Sequence, residues 1–392
     1  MNFDKLKNLM DNLVRDGLAP GNSITVHYGG EKVFEYSAGV SDIETGKKMV
    51  GDEYFRLYSC SKITTVVAAL QLVECGAILL TDPLYDYIPE YREMYIKRED
   101  GELVRAKRDI TVKNLFNMTA GFKYESNTPG IRRARELTGG KMDTATVARC
   151  MGSDPIYFEP GDRFHYSTCH DVLGGLVSIV TGKKFRDYVK ENIFEPLEMS
   201  SCTYHYTPEL ESKMATQYRF CADEGDIADT VEAQKYGRYK SGKFVRVGFE
   251  SLYEFGEEYD SGGAGIISTV SDYAKLAAAL ANRGMGLTGE RILSSGGVEL
   301  LRTNTLDAHQ IRTFDWPQLA GYGYGLGVRT LIDKAAGGSI GNLGEFGWGG
   351  AAGASVYVDP DIGLSAVYAK HVLNPREEYY QPRVRNVLYS CL

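Results

Sequence analysis

The segment Ile63-Thr64-Thr65-Val66-Val67-Ala68-Ala69-Leu70-Gln71-Leu72-Val73 constrains this chain more than any other. It is uncharged and apolar on nearly every side, so it reads as a largely buried helix that other elements must wrap. Gly76 supplies its stop. Glu74 interrupts the apolar run, which is too short to cross a bilayer. Directly upstream stands Ser59-Cys60-Ser61-Lys62, the only S-x-x-K in the chain. Three residues apart on a helix, Ser59 and Lys62 share one face. A serine at a helix mouth faces free N–H groups that favour developing negative charge. A lysine held against it in a dry place loses its proton more easily and can act as its base. Alone the pair says little, because a chain of this length should show about one S-x-x-K by chance. The rest of the sequence decides its meaning.

The strand signals lie at the two ends. Ser23–Tyr28 and Lys32–Ala38 flank Gly29-Gly30-Glu31 and read as a hairpin, after a helix over Phe3–Asp16. Tyr322–Leu331, Gly344–Trp348, Ala354–Asp359 and Leu364–Ala369 read as a glycine-punctuated antiparallel meander, and Arg376–Leu392 as a closing helix. Between them the chain is mostly helical. Helices are predicted for a short piece opened by Pro83, for a capped element within Ile110–Thr119, and for Asp143–Met151, Asp171–Val180 and Phe185–Ile193. A further helix, capped by Thr269 or Ser271, ends at Ala281. Lys97–Asp109 reads as an exposed charged excursion, Asn127–Gly140 as mobile, and Thr207–Asp260 as a Tyr- and Gly-rich stretch with weak strands such as Lys243–Gly248. The pattern predicts an α+β protein with two domains. Residues 1–57 and 262–392 form an antiparallel sheet flanked by helices, and residues 58–261 form an inserted, mostly helical domain.

Composition excludes some functions. A net charge of −8 with no basic run argues against nucleic-acid binding. The cysteines Cys60, Cys75, Cys150, Cys169, Cys202, Cys221 and Cys391 are odd in number and fit no metal spacing, so free thiols are expected. His165 and His170 flank Cys169 but do not share a helix face, so no zinc site is read there. With no apolar signal core at Met1–Lys7, the chain reads as cytoplasmic and soluble, without a membrane partner.

Two further stretches carry chemistry. Tyr166-Ser167-Thr168 follows the turn Glu159-Pro160-Gly161-Asp162-Arg163, and Phe346-Gly347-Trp348-Gly349-Gly350-Ala351 lies near the C-terminus. With Ser59-x-x-Lys62, their order and spacing resemble the serine β-lactamase-like superfamily, most closely its class C branch. That branch holds class C β-lactamases, D-alanyl-D-alanine peptidases, D-aminopeptidases and family VIII carboxylesterases. Ile110–Gly121, Phe194–Met199 and Gly262–Asp272 also resemble recurring family stretches, so the likeness spans nearly the whole chain.

The resemblance implies that Ser59 is the acylated nucleophile, that Lys62 takes its proton, and that Tyr166 completes proton transfer to the leaving group. It implies an oxyanion hole from the backbone N–H groups of Ser59 and Ala351, the latter on the strand past Trp348, Gly349 and Gly350. It implies no cofactor and no metal. Two residues depart from the β-lactamase pattern. Thr168 stands where an Asn would contact the lysine and a substrate amide, and Trp348 where a Lys or His opens the third motif. Both weaken β-lactam recognition and leave acyl transfer intact; a Trp at that place resembles some family VIII esterases. Tyr259 and Asp260 are expected at the pocket rim. The expected function is a serine hydrolase on small esters, with a small-molecule ester or amide as its partner. A β-lactamase, a D-amino-acid peptidase or an acyltransferase would use the same machinery, and a catalytically idle binding protein is the alternative of another class.

Overall fold

A computed structural model describes residues 1–222, 242–251 and 253–392. Its centre is a seven-stranded, wholly antiparallel sheet. The spatial order is Glu31–Gly39, Gly21–Tyr28, Leu364–Ala369, Ser355–Asp359, Phe346–Gly347, Arg329–Leu331 and Tyr322–Tyr324. The N-terminal hairpin therefore pairs with the C-terminal meander, with Val26 opposite Ala366. Antiparallel sheets often leave one face in water, but this one is covered on both. Val356, Val358, Val367 and Ala369 face one core, against the helix Val270–Ala281. Ile24, Val26, Tyr357, Ala366 and Tyr368 face the other, against the helices Asp4–Arg15 and Glu377–Tyr389. That is why Ser355–Asp359 and Leu364–Ala369 are buried at every position.

The apolar helix forms as expected, over Ser61–Glu74, and is buried from Ser61 to Leu70 and again at Leu72. It packs against the helix Cys169–Thr181 and the shorter Phe185–Val189. Thr111 and Asn114 form the capping box of Val112–Phe116, Asp143 caps Thr144–Met151, and Thr269 caps Val270–Ala281.

Several expectations are corrected. Asn127–Gly140 is not a loose loop but holds the helix Pro129–Leu137. Thr128 caps it, and the Asp154 carboxylate accepts the Gly130 N–H at 2.8 Å. Its polar face had hidden the three buried positions Gly130, Ile131 and Ala134. Pro83 precedes a 3₁₀ turn, Leu84–Asp86, rather than opening a helix, because the Asp82 carboxylate is taken up by the Leu79 N–H and the Tyr87 hydroxyl. Lys97–Asp109 contains half of a hairpin, Tyr95–Lys97 with Leu103–Arg105. Tyr322–Leu331 is two strands joined by a tight turn in which the Gly325 N–H donates to the Val328 carbonyl. The helix Ser295–Arg302 was not anticipated, since Gly296 and Gly297 in its first turn read as a stop. Part of the expectation for Thr207–Asp260 lies outside the described residues; within them, Tyr218–Ala222 pairs with Gly242–Arg246.

Candidate active site

The strand Tyr54–Arg56 pairs with Ile267–Thr269, and the Leu57 N–H extends the ladder to the Ile266 carbonyl at 2.9 Å. Tyr58 then turns the chain with φ of 44°, a left-handed conformation that a bulky residue adopts only when its surroundings hold it. Burial holds it, together with its hydroxyl, which donates to Gln217 Oε1 at 2.8 Å. A 3₁₀ turn over Tyr58–Cys60 leads into the helix, so Ser59 stands in the turn at the helix mouth. From Phe55 to Leu70, Ser59 is the one residue that is not buried.

Lys62 is wholly buried. Its Nζ lies 3.4 Å from Ser59 Oγ, 3.3 Å from the Tyr124 hydroxyl and 2.6 Å from the Gly263 carbonyl oxygen. Burial lowers its pKa from the ordinary 10.5 to about 8, against the opposing pull of the Asp171 carboxylate. Asp171 accepts the Tyr259 hydroxyl at 2.9 Å, the Ser261 hydroxyl at 2.7 Å and the Gly263 N–H at 3.2 Å. Gly263 is the spacer between acid and lysine: a Cβ there would stand 2.5 Å from Asp171 Oδ2 and 3.3 Å from Lys62 Nζ.

Tyr166 sits in the loop before the helix Cys169–Thr181. Its ring is stacked between Tyr124 and Trp348, each with its ring centre 5.5 Å away. Lys62 Nζ faces that ring, 4.7 Å from its centre. The Tyr166 hydroxyl accepts the Trp348 indole N–H at 3.2 Å, and Tyr166 lines a pocket with Ser59. Burial pushes this phenol far up, although Ser59 and Trp348 pull the other way, so it is held neutral.

The third motif packs as its glycines demand. A Cβ on Gly350 would lie 2.2 Å from the Leu57 carbonyl oxygen, and one on Gly347 would lie 1.9 Å from that of Val356. Ala351 lies not on a strand but in the turn that follows, closed by the Gly350 N–H to Ala354 and the Gly353 N–H to Gly350. The Ala351 N–H is outside those closing bonds, and Ala351 lines the pocket with Ser59.

That pocket holds about 230 Å³. Its lining is apolar at Tyr166, Trp316, Leu319 and Trp348 and polar at Gln318, Arg329, Glu377 and Gln381, and Ser59 opens into it. The Arg329 charge is already held by Glu345, at 2.9 and 3.1 Å. Burial, helped by the neighbouring Glu378, raises Glu377 from 4.5 to about 7.

Of the residues anticipated, Ser59, Lys62, Tyr166, Trp348, Gly349, Gly350 and Ala351 come together. Thr168 does not line the pocket; its hydroxyl donates to the Lys123 carbonyl at 3.4 Å, pinning the loop that delivers Tyr124. Tyr259 and Asp260 are not at the rim: Tyr259 supports Asp171, and Asp260 binds His205 and Arg186. Tyr124 was not foreseen, since a lone aromatic in a loop carries no signal. Asp171 could have been, as an acid in the otherwise apolar run Val172-Leu173 onward. His170 is buried and held neutral, its pKa lowered to about 3 by burial, with Nε2 at 3.0 Å from the Phe116 carbonyl oxygen. Among the described residues no group of three or more His, Cys, Asp or Glu could hold a metal. All seven cysteines are free. No helix among the described residues is long and apolar enough to cross a membrane.

An antiparallel sheet clad in helices, with a serine and a buried lysine at a helix mouth, is the β-lactamase/transpeptidase architecture. The sequence profile described as Beta-lactamase matches residues 6–388, and the chain belongs to the beta-lactamase family. Protein Rv1367c of Mycobacterium tuberculosis is 29% identical over 380 residues, covering 94% of this chain and 90% of its own. Esterase EstB of Burkholderia gladioli is 27% identical over 374 residues, covering 93% and 88%. Among solved structures, EstCE1, described as a hydrolase with promiscuous acyltransferase activity, superposes with a TM-score of 0.75 at 23% identity, covering 98% of this chain and 97% of its own.

Proposed function

We propose that this protein hydrolyses small esters through an acyl-enzyme on Ser59. The observation that carries the reading is Lys62: wholly buried, lowered to about 8, and 3.4 Å from the Ser59 hydroxyl. Near neutral pH a useful fraction of such a lysine is the free amine. It accepts the Ser59 proton as Oγ attacks the ester carbonyl, and the carbonyl oxygen becomes an oxyanion. The backbone N–H groups of Ser59 and Ala351 receive that charge, each such donor supplying ~3 kcal/mol of transition-state stabilisation. As the intermediate collapses, the C–O bond to the alcohol breaks. The neutral Tyr166 phenol gives its proton to the leaving alkoxide and is reprotonated from the Lys62 ammonium through water. Water then attacks the acyl group by the reverse sequence and frees the acid and Ser59. An alcohol in place of water would give acyl transfer.

The ester reading is supported by Trp348 and by the likeness to Esterase EstB. Trp348 brings an indole to the head of the third motif, and its one N–H is already given to Tyr166. A substrate carboxylate would find no cation there, whereas a neutral ester loses nothing. A fluorophosphonate probe should label the protein at Ser59, and Ser59→Ala should lose both the label and ester turnover while remaining folded. An adduct mapped to any other serine would sink the assignment.

A further inference from the structure

One wall of the pocket is polar in a way that acyl transfer does not use. Glu377 and Gln381 lie a helical turn apart on Glu377–Tyr389, and both line the cavity into which Ser59 opens. Gly349 admits them: a Cβ there would stand 2.6 Å from Gln381 Nε2 and 3.2 Å from Glu377 Oε1. Glu377 Oε2 accepts the Gln318 amide at 3.2 Å, while Oε1 has no donor among the described residues. Gln381 is 4% exposed, and its side-chain amide makes no hydrogen bond to any described residue. An amide and a carboxylate oxygen that open on the cavity with no protein partner are free to hydrogen-bond a bound group. Among the described lining residues Arg329 is the one other charged group, and Glu345 neutralises it. The remaining acid is Glu377, raised by burial to about 7 and therefore mostly ionised at pH 7.5.

We propose that Glu377 and Gln381 form a subsite for a protonated amine carried by the ester substrate, received by Glu377 Oε1 and the Gln381 amide. This rests on the reading of Ser59 given above. An ammonium placed there exchanges water for a charge-assisted hydrogen bond in a low-dielectric cavity. A carboxylate placed there meets the like charge of Glu377, so the same wall selects against acidic substrates.

Matched esters test this with the intact protein at pH 7.5. With the group on the alcohol side they are 2-(dimethylamino)ethyl acetate, its neutral isostere 3-methylbutyl acetate, and 3-acetoxypropanoate. With the group on the acyl side they are methyl 3-(dimethylamino)propanoate, methyl 4-methylpentanoate and monomethyl succinate. In one of the two sets kcat/KM should run amine, neutral, carboxylate, with the amine at least about tenfold above its isostere. Glu377→Gln should bring that ratio to within about threefold of unity. Equal or inverted rates in both sets, from unmodified protein that a fluorophosphonate labels at Ser59, would overturn the subsite and leave the hydrolase reading standing. No label and no turnover of any ester would overturn both. The comparison in unmodified protein decides even if the variant does not fold.

Discussion

Lys62 and Lys370 are both buried, and burial draws both below the ordinary lysine range, to about 8 and about 7. Each gives its ammonium to backbone carbonyls: Lys62 to Gly263, Lys370 to Leu18 and Pro375. Each also faces tyrosine rings. The difference is in what else is within reach. Lys62 has the Ser59 and Tyr124 hydroxyls. Lys370 has no hydroxyl partner among the described residues, and it packs beneath Gly353 in the turn that carries Ala351. A lowered pKa therefore does not mark a catalytic base by itself. An acidic proton to accept, at hydrogen-bond range and open to a pocket, separates the two.

Exchanging the two roles by mutation is the most direct way to break this contrast. Lys62→Ala should cut kcat on a small ester by on the order of 10²–10⁴ with little change in thermal unfolding. Lys370→Met should lower the melting temperature and leave kcat per folded molecule within about tenfold. A larger kcat loss at Lys370 would erase the distinction. A double-mutant cycle sharpens it. Tyr166→Phe should cost a similar factor, and combined with Lys62→Ala it should cost far less than the product, because groups that move one proton act as a unit. Full additivity would separate Tyr166 from the Lys62 network.

Acidity supplies the finer tests. Because Lys62 must be neutral to accept the Ser59 proton, kcat/KM for a neutral ester should rise about tenfold per pH unit below the Lys62 pKa and level off above about 8. A rise continuing unbroken toward the unperturbed value of 10.5 would mean that burial does not tune this lysine. For Lys370 the readout is stability. Its folded pKa is below its unfolded one, so between about 7 and 10.5 the unfolded chain binds more protons, and stability rises with pH. From pH 7 to pH 9 the unmodified protein should gain about 2 kcal/mol relative to Lys370→Met, measured by denaturant unfolding. No differential gain would show that Lys370 stays charged in the fold.

The legible parts of this molecule are the local ones. The hairpin around Gly29-Gly30, the cap at Thr269, and the glycines beside Trp348 each depend on a few neighbouring residues, and the structure has them where the sequence indicated. The misreadings came where a remote partner overrode local character. Asn127–Gly140 looked too polar to order until Asp154 took up its first turn. Thr168 was read by its place in a motif, yet its hydroxyl is drawn to Lys123, and Tyr124 brings a hydroxyl to Lys62 instead.

By itself the sequence determined that Ser59 and Lys62 share a face at the mouth of an apolar helix. Helical spacing sets that relation, and no other part of the chain is needed to specify it. It also determined that strands from both termini would build one antiparallel sheet. Only the tertiary structure decided how acidic Lys62 is, because the groups that exclude water from it come from far along the chain: Tyr124, Tyr166 and Gly263, with Asp171 behind. The same holds for the polar wall of the pocket. Glu377 and Gln381 sit on a C-terminal helix whose sequence says nothing of Ser59, and Gly349 brings them within reach of it. Desolvation and charge act through space, so they follow from packing and not from spacing.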